Sequence, residues 1–156
     1  MAPEDFAAVE KLLDAEAGGR HQARLGELVD VMRGSGIVAI EGDEIVGVAT
    51  EDLGNGASEL LVLALAQRHR GRGLGGRLVE AVAARAAARG SHLLWLVTTN
   101  DNLDALRLYQ RHGFWLAELH PGAVDRSRRE LKPLIPETGQ HGIPLRDELV
   151  LHRALS

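Results

Sequence analysis

The chain of 156 residues contains no cysteine, and this absence excludes several kinds of chemistry at once. Without a thiol the protein forms no disulfide bond, builds no cysteine-based zinc site and uses no thiolate nucleophile. Seven histidines are present, but they show none of the spacings typical of a metal site. We therefore expect a protein that works without a metal ion and without a covalent intermediate on sulfur.

Long apolar runs and an excess of positive charge are missing as well. The longest runs, Leu60–Ala66 and Leu93–Val97, are far shorter than the roughly 20 residues that cross a membrane. Residues 1–5 are acidic and do not resemble a signal peptide. A formal net charge of -4 gives no overall basic surface for nucleic acid or an anionic membrane. We expect a cytoplasmic protein that forms a single domain over residues 1–156.

The order of the apolar patterns predicts an α/β domain, a sheet flanked by helices. Apolar residues at helical spacing, closed by glycine, predict helices at 4–17, 21–33, 74–89 and 102–112. β-Branched and apolar runs predict strands at 37–40, 45–50, 57–66, 92–98, 114–119 and 145–154. No clear strand precedes the first helix. Residues 121–144 are irregular, with a short helix near 125–131, and are expected to cover a substrate site or a subunit contact.

The segment Arg70–Arg77, which reads RGRGLGGR, is the most informative part of the chain. It follows the run Leu60–Ala66 and opens an Ala-rich helix, so it predicts a strand, a glycine turn and a helix start. Glycines allow the backbone to approach a pyrophosphate closely, and the N–H groups and dipole of the first turn favour an anion. Three arginines add positive charge. The ligand inferred from this segment is a phosphorylated cofactor.

Two motifs together resemble the GCN5-related N-acetyltransferase (GNAT) superfamily. The first is Arg-x-x-Gly-x-Gly at Arg70, Gly73 and Gly75, and the second is Asn-x-x-Ala-x-x-Leu-Tyr-x-x-x-Gly-Phe over residues 102–114. The resemblance covers roughly residues 36–119, the expected acetyl-CoA-binding core. It implies a mixed, splayed β-sheet that holds acetyl-CoA between the strands predicted at 57–66 and 92–98.

The resemblance also implies which residues bind the cofactor. The backbone of Leu63, Ala64 and Leu65 would bind the pantetheine amides, and Asn102 would lie beside the pantetheine arm unless it only caps its helix. The turn would hold the pyrophosphate on its N–H groups, with arginine side chains nearby. The turn residues concerned are Arg70, Gly71, Arg72, Gly73, Leu74, Gly75 and Gly76.

Two catalytic residues follow from the same resemblance. Tyr109 occupies the position of the general acid that protonates the departing CoA thiolate, although a tyrosine on an apolar helix face also suits a core. Glu59 matches the general base of histone-type members, although a glutamate at a strand end is often only a polar surface residue. Other members carry a glutamate near the position of Val97, which is apolar here.

The resulting hypothesis is an N-acetyltransferase that moves an acetyl group directly from acetyl-CoA to a primary amine, on a small molecule or a protein, with no metal. His120, His141 and the triplet Arg146–Glu148 are candidates for acceptor recognition, and a homodimer is possible.

Two alternatives remain. One is a non-catalytic acyl-CoA-binding module. The other is a dinucleotide-binding oxidoreductase, because Gly71, Gly73 and Gly76 also satisfy Gly-x-Gly-x-x-Gly and Asp101 could bind the ribose.

Overall fold

A computed structural model describes every residue from Met1 to Ser156. It contains four α-helices and eight β-strands, joined by turns and three short 3₁₀ segments. The helices are α1 (Phe6–Glu16), α2 (Leu74–Ala88), α3 (Leu103–Arg111) and α4 (Ala123–Glu130). The strands are β1 (His21–Arg24), β2 (Glu27–Asp30), β3 (Ser35–Glu41), β4 (Glu44–Leu53), β5 (Ala57–Leu65), β6 (Leu93–Thr99), β7 (Trp115–His120) and β8 (Glu148–Ala154). No helix is both long and apolar enough to span a membrane.

Six strands form one mixed sheet in the order β3-β4-β5-β6-β8-β7. Every neighbouring pair is antiparallel except β5 and β6, which run parallel and pair over only three positions, Ala57 with Leu93, Ser58 with Leu94 and Glu59 with Trp95. Beyond the pair Glu59 and Trp95 the two strands separate, and we call the resulting opening the notch. The sequence prediction of a mixed, splayed sheet flanked by helices is thereby confirmed.

Helices cover the two faces of the sheet, and each face has its own hydrophobic cluster. On the first face, which we call the α1 face, Val9 and Leu13 of α1 pack with β4 and β5. On the second, the α2 face, Val79 and Val82 of α2 pack with β5 and β6. Side chains alternate along a strand, so β5 contributes residues to both clusters and is buried on both faces. The strand that borders the notch is thus fixed from both sides.

The helix predicted over 21–33 is wrong, because this segment forms the hairpin β1–β2. Leu25 and Gly26 form its two-residue turn, with φ of 49° and 78°, the positive values that a type I′ turn requires. Leu25 and Leu28 are 40% and 51% exposed, whereas Val29 is buried against α1. The spacing of the apolar residues is that of a helix. Because the chain turns at Gly26, the segment forms two strands instead, and its side chains alternate between the two faces.

The remaining predicted elements agree with the structure to within a few residues. The predicted short helix in 121–144 is α4, and β8 begins at Glu148 rather than at 145. No strand precedes α1, and β1–β2 forms a separate two-stranded sheet on the α1 face. The long segment after β7 is held by Arg128, which donates to the carbonyls of Ile135, Pro136 and Leu145. Arg128 therefore has a structural role, because it links three points of this segment.

Candidate active site

The glycine turn connects β5 to α2 and exposes its backbone. Gly73 is the N-cap of α2, and both Gly71 and Gly73 have a φ of 78°, a conformation that L-residues other than glycine rarely adopt. A Cβ atom at either position would meet no atom within 4 Å, so the backbone faces open space. The first N–H groups of α2 have no acceptor within the helix. The turn can therefore offer several N–H donors to an anion.

A cavity of about 750 Å³ begins at this turn and extends along the notch to α3. It contains most of the residues that the sequence predicted for the cofactor, namely Leu63, Ala64, Leu65, Arg70, Gly71, Gly73, Gly75, Gly76 and Asn102. Two predicted residues, Arg72 and Leu74, do not line it; Arg72 is exposed, and the Leu74 side chain packs against the cluster on the α1 face. We call this opening the first cavity.

Asn102 does not cap α3 with its side chain. Its Nδ2 instead donates to Thr98 Oγ1 over 3.2 Å, and the residue lines the first cavity at the start of the helix. Asn102 is therefore the N-cap residue of α3 by position, but its side chain makes no capping hydrogen bond. Because Thr98 engages the amide nitrogen of Asn102, the amide oxygen remains available to accept from a ligand.

Tyr109 lines the first cavity from α3 and belongs to the cluster on the α2 face. Its ring is 7% exposed and packs against Phe114 with the ring centroids 5.6 Å apart, so both the core and the cavity interpretation hold. Burial raises the pKa of the Tyr109 hydroxyl well above its usual value. The hydroxyl thus stays protonated at neutral pH, as a proton donor must.

Glu59 lies elsewhere, in a second cavity of about 290 Å³ on the α1 face. It is 4% exposed and forms an ion pair with Arg24 of β1, while Arg33 Nη2 lies 3.9 Å from its other oxygen. The Arg24 guanidinium lies 6.0 Å from the centroid of the Trp95 ring. The two predicted catalytic residues are therefore on opposite faces of the sheet. The Glu59–Trp95 pair, where the notch begins, borders the second cavity.

Charged residues that the sequence did not single out surround both cavities. Glu16, at the end of α1, accepts from Arg70 Nη2 over 2.8 Å at the edge of the first cavity. Arg107 and Arg111 of α3 add positive charge to the same cavity. Arg24 and Arg33 could not be identified as site residues, since they lie in the segment that was predicted as a helix.

Other sequence candidates occupy structural positions. The carboxylate of Asp101 accepts from Gln140 N and from Thr99 Oγ1, and the sheet has only one parallel pair of strands. Both facts contradict the dinucleotide-binding alternative, which needs a parallel, doubly wound sheet. His120, His141 and the Arg146–Glu148 triplet line neither cavity. No group of three or more His, Asp or Glu side chains is placed to hold a metal ion.

Comparison with known proteins agrees with this geometry. Residues 6–114 match the family described as "Acetyltransferase (GNAT) family". The uncharacterized protein YdhI of Bacillus subtilis (strain 168) is 34% identical over 115 residues, which cover 74% of this chain and 70% of YdhI.

Two solved structures have the same fold. The IAA acetyltransferase from Bacillus cereus ATCC 14579 has a TM-score of 0.70 and 26% identity, over 80% of this chain and 79% of that one. An acetyltransferase of Bacillus subtilis in complex with CoA has a TM-score of 0.71 and 24% identity, over 81% and 80%. Together with the notch and the glycine turn, these matches show that the chain belongs to the acetyltransferase (GNAT) family.

Proposed function

We propose that this protein transfers an acetyl group from acetyl-CoA to a primary amine by direct attack of the amine on the thioester. The observation that carries the proposal is the first cavity, which joins the glycine turn, the notch and Tyr109 in one continuous opening. This reaction needs three parts: a phosphate-binding end, the notch between the strands and a buried proton donor. A bound CoA in the Bacillus subtilis protein of the same fold supports the choice of donor.

In this account the donor lies along the first cavity. The pyrophosphate accepts hydrogen bonds from N–H groups of residues 71–76 and is further attracted by Arg70, at the positive end of α2. The pantetheine arm lies in the notch, where backbone groups of Leu63–Leu65 have no strand partner from β6. Asn102 borders the same arm. These contacts bind the donor mainly through backbone groups, so few side chains are needed.

The amine enters through the second cavity. This cavity borders the apex of the notch at Glu59 and Trp95, so an acceptor seated there reaches the thioester from the face opposite Tyr109. A volume of about 290 Å³ fits a small amine or the end of a larger one. The acceptor is thus a small molecule or an amine that projects from a protein.

The reaction forms a C–N bond and breaks the C–S bond. The neutral amine attacks the carbonyl carbon, the CoA thiolate leaves and takes a proton from the Tyr109 hydroxyl, and the nitrogen loses a proton. Glu59, whose carboxylate lies on the acceptor side of the notch, accepts through water the proton that an arriving ammonium loses before it attacks. The proton that the nitrogen loses after the attack passes through solvent to the Tyr109 oxygen and restores its hydroxyl. With no cysteine in the chain, no acyl group rests on a thiol of the protein.

A homodimer through β7 completes the proposal. This strand is the edge of the sheet, and Trp115, Leu116 and Leu119 are exposed on it. If two β7 strands pair antiparallel about a two-fold axis, Leu116 faces Leu119 of the partner subunit on the α2 face. Leu119→Glu is expected to shift the protein to a monomer in sedimentation experiments, and a wild-type monomer would contradict the pairing.

A cytoplasmic location stays a prediction.

The test of the function is a screen of primary amines with acetyl-CoA, in which free thiol is measured. We expect thiol release that depends on at least one amine and yields the N-acetylated product in equal amount. Binding of acetyl-CoA with no amine-dependent thiol release across small amines, polyamines, amino acids and peptide N-termini would contradict the proposal. It would favour the non-catalytic acyl-CoA-binding module.

A further inference from the structure

Arg24 is a buried cation at the acceptor side of the notch. It ends β1, is 8% exposed, and lies under the hairpin turn against the Trp95 ring. One of its nitrogens, Nη2, contacts Glu59, but Nε and Nη1 are buried with no hydrogen-bond partner. Leaving two donors of a buried charge unpaired is costly. The direct ion-pair partner of the guanidinium is Glu59. Its charged form is also favoured by the charges of three further acids, Glu148, Glu27 and Asp52.

The charges that face Glu59 come from several elements. Arg24 of β1 contacts it directly, and Arg33, which follows β2, lies 3.9 Å away. The acids nearby have other partners or none. Asp52 of β4 binds Arg33 at 3.0 Å, Glu148 of β8 accepts from Leu25 N, and Glu27 of β2 lines the cavity without an ion pair. Glu59 is thus flanked by two cations.

Burial and the proximity of Arg33 lower the pKa of Arg24 to about 10. Because this value is far above neutral pH, the Arg24 guanidinium remains charged under ordinary conditions. The cation next to Glu59 is therefore permanent over the pH range in which the enzyme can be assayed.

Glu148 is a second buried carboxyl on the same face; it has no direct contact with Arg24, and burial outweighs the more distant Arg24 charge that lowers its pKa. It is as buried as Glu59, its hydrogen-bond donor is the backbone N–H of Leu25, and burial raises its pKa. Glu59, equally buried, instead contacts the Arg24 guanidinium directly.

We propose that Arg24 is a positioning residue for acetyl transfer, which keeps Glu59 ionised and fixed at the apex of the notch so that it can accept the proton of the amine. The proposal rests on the role of Glu59 given above. Arg24 itself touches neither the donor nor the reacting atoms in this account. Its effect is expected in the pH dependence of the rate and not in the affinity for acetyl-CoA.

The test compares Arg24→Met, which removes the charge at similar size, with Arg24→Lys, which keeps it. Rates are measured against pH at saturating acetyl-CoA with an acceptor from the screen. We expect the acid limb of Arg24→Met, the acidic side of its pH–rate profile, to shift to higher pH by about one unit or more. On that side of the profile the rate should be roughly tenfold lower than in the wild type. Arg24→Lys should stay close to wild type, and the KM for acetyl-CoA should not change in either variant. A loss of equal size at every pH for Arg24→Met would overturn the proposal.

A second measurement needs neither substrate nor an Arg24 variant. The Glu59 carboxyl of the wild-type protein is titrated by ¹³C NMR, with the signal assigned through Glu59→Gln. We expect it to titrate below the ordinary glutamate value of about 4.3. Titration above that value would overturn the proposal even if Arg24→Met does not fold.

The two hypotheses fail in different ways. A wild-type pH–rate profile for Glu59→Gln would remove Glu59 as the base and with it the catalytic role of Arg24. A clear pH-dependent defect for Glu59→Gln, together with an unmoved acid limb for Arg24→Met, would overturn the role of Arg24 alone.

Discussion

The two cavities lie on opposite sides of one notch but are built in different ways. The first is formed largely by the end of β5, the glycine turn and α3, and the backbone of the turn is open to it. The second is formed by three stretches of the chain, residues 24–33, residues 52–59 and Trp95, and ion pairs link its charged side chains. A donor that never varies can be held by backbone geometry, whereas acceptor recognition depends on side chains from distant parts of the chain. The predictions below test this division.

The largest expected effect concerns Tyr109, on the donor side. Tyr109→Phe keeps the ring and its packing on Phe114 but removes the hydroxyl proton. We expect kcat to fall by about 10²–10⁴-fold, the range for loss of a general acid. Calorimetric titration should give a nearly unchanged affinity for acetyl-CoA. Equal rates for the variant and the wild type, with chemistry rate-limiting, would leave Tyr109 with a packing role only.

The glycine turn is expected to control affinity rather than rate. Gly73→Val places a β-branched side chain where the pyrophosphate approaches and at a positive φ. Losing two charge-assisted hydrogen bonds should weaken acetyl-CoA binding by roughly 100-fold or more. Arg70→Ala should have a smaller effect, because the N–H groups remain.

Gly90→Val is the matched control for Gly73→Val. Gly90 has a similar φ of 89° and equally open space, but it lies at the other end of α2. It should lose comparable stability and keep its affinity for acetyl-CoA. An unchanged affinity for Gly73→Val in calorimetry would contradict the account of the first cavity.

On the acceptor side the expected effect depends on pH. Glu59→Gln should slow the reaction by up to about 10²-fold at low pH, where the amine arrives as ammonium. Higher pH should partly restore the rate, since more of the amine is already neutral. Asp52→Asn is the control, because Asp52 lines the same cavity but binds Arg33. A pH-dependent defect in the Asp52 variant instead would assign the base to Asp52.

The smallest expected effect concerns the stability of the hairpin. Arg20 donates two hydrogen bonds to the Asp30 carboxylate, and these lower its pKa from 3.8 to about 2. A lowered pKa contributes stability above the unfolded value, which is lost as the pH falls from 3.8 to about 2. Asp30→Asn should therefore reduce the free energy of unfolding by roughly 1 kcal/mol near neutral pH. In chemical denaturation this difference should vanish near pH 2, and a constant difference would contradict the assignment.

Much of the donor side could be predicted from the sequence because its signals are local. The turn at Arg70–Arg77 and the helix motif ending at Phe114 each lie within one short segment, and the structure places both on the first cavity. The fold class followed from the same motifs and from the β-branched and apolar runs that mark the strands.

The acceptor side could not be predicted, for two physical reasons. Leu25, Leu28, Val29 and Met32 fit a helical period, and only the positive φ values at Leu25 and Gly26 turn the segment into a hairpin. The second reason is that the pair of Arg24 and Glu59 joins residues 35 positions apart, and no local pattern encodes it. The sequence placed Glu59 at a strand start but could not show the cation beside it.

A crystal structure with acetyl-CoA bound would test the central claim most directly, that one notch joins a donor side to an acceptor side. We predict the pyrophosphate on the N–H groups of residues 71–76, and the thioester sulfur about 3–4 Å from the Tyr109 hydroxyl. The carbonyl carbon should be open to the second cavity beyond the Glu59–Trp95 pair. Phosphates outside the glycine turn, or a thioester closed off from the second cavity, would contradict the account.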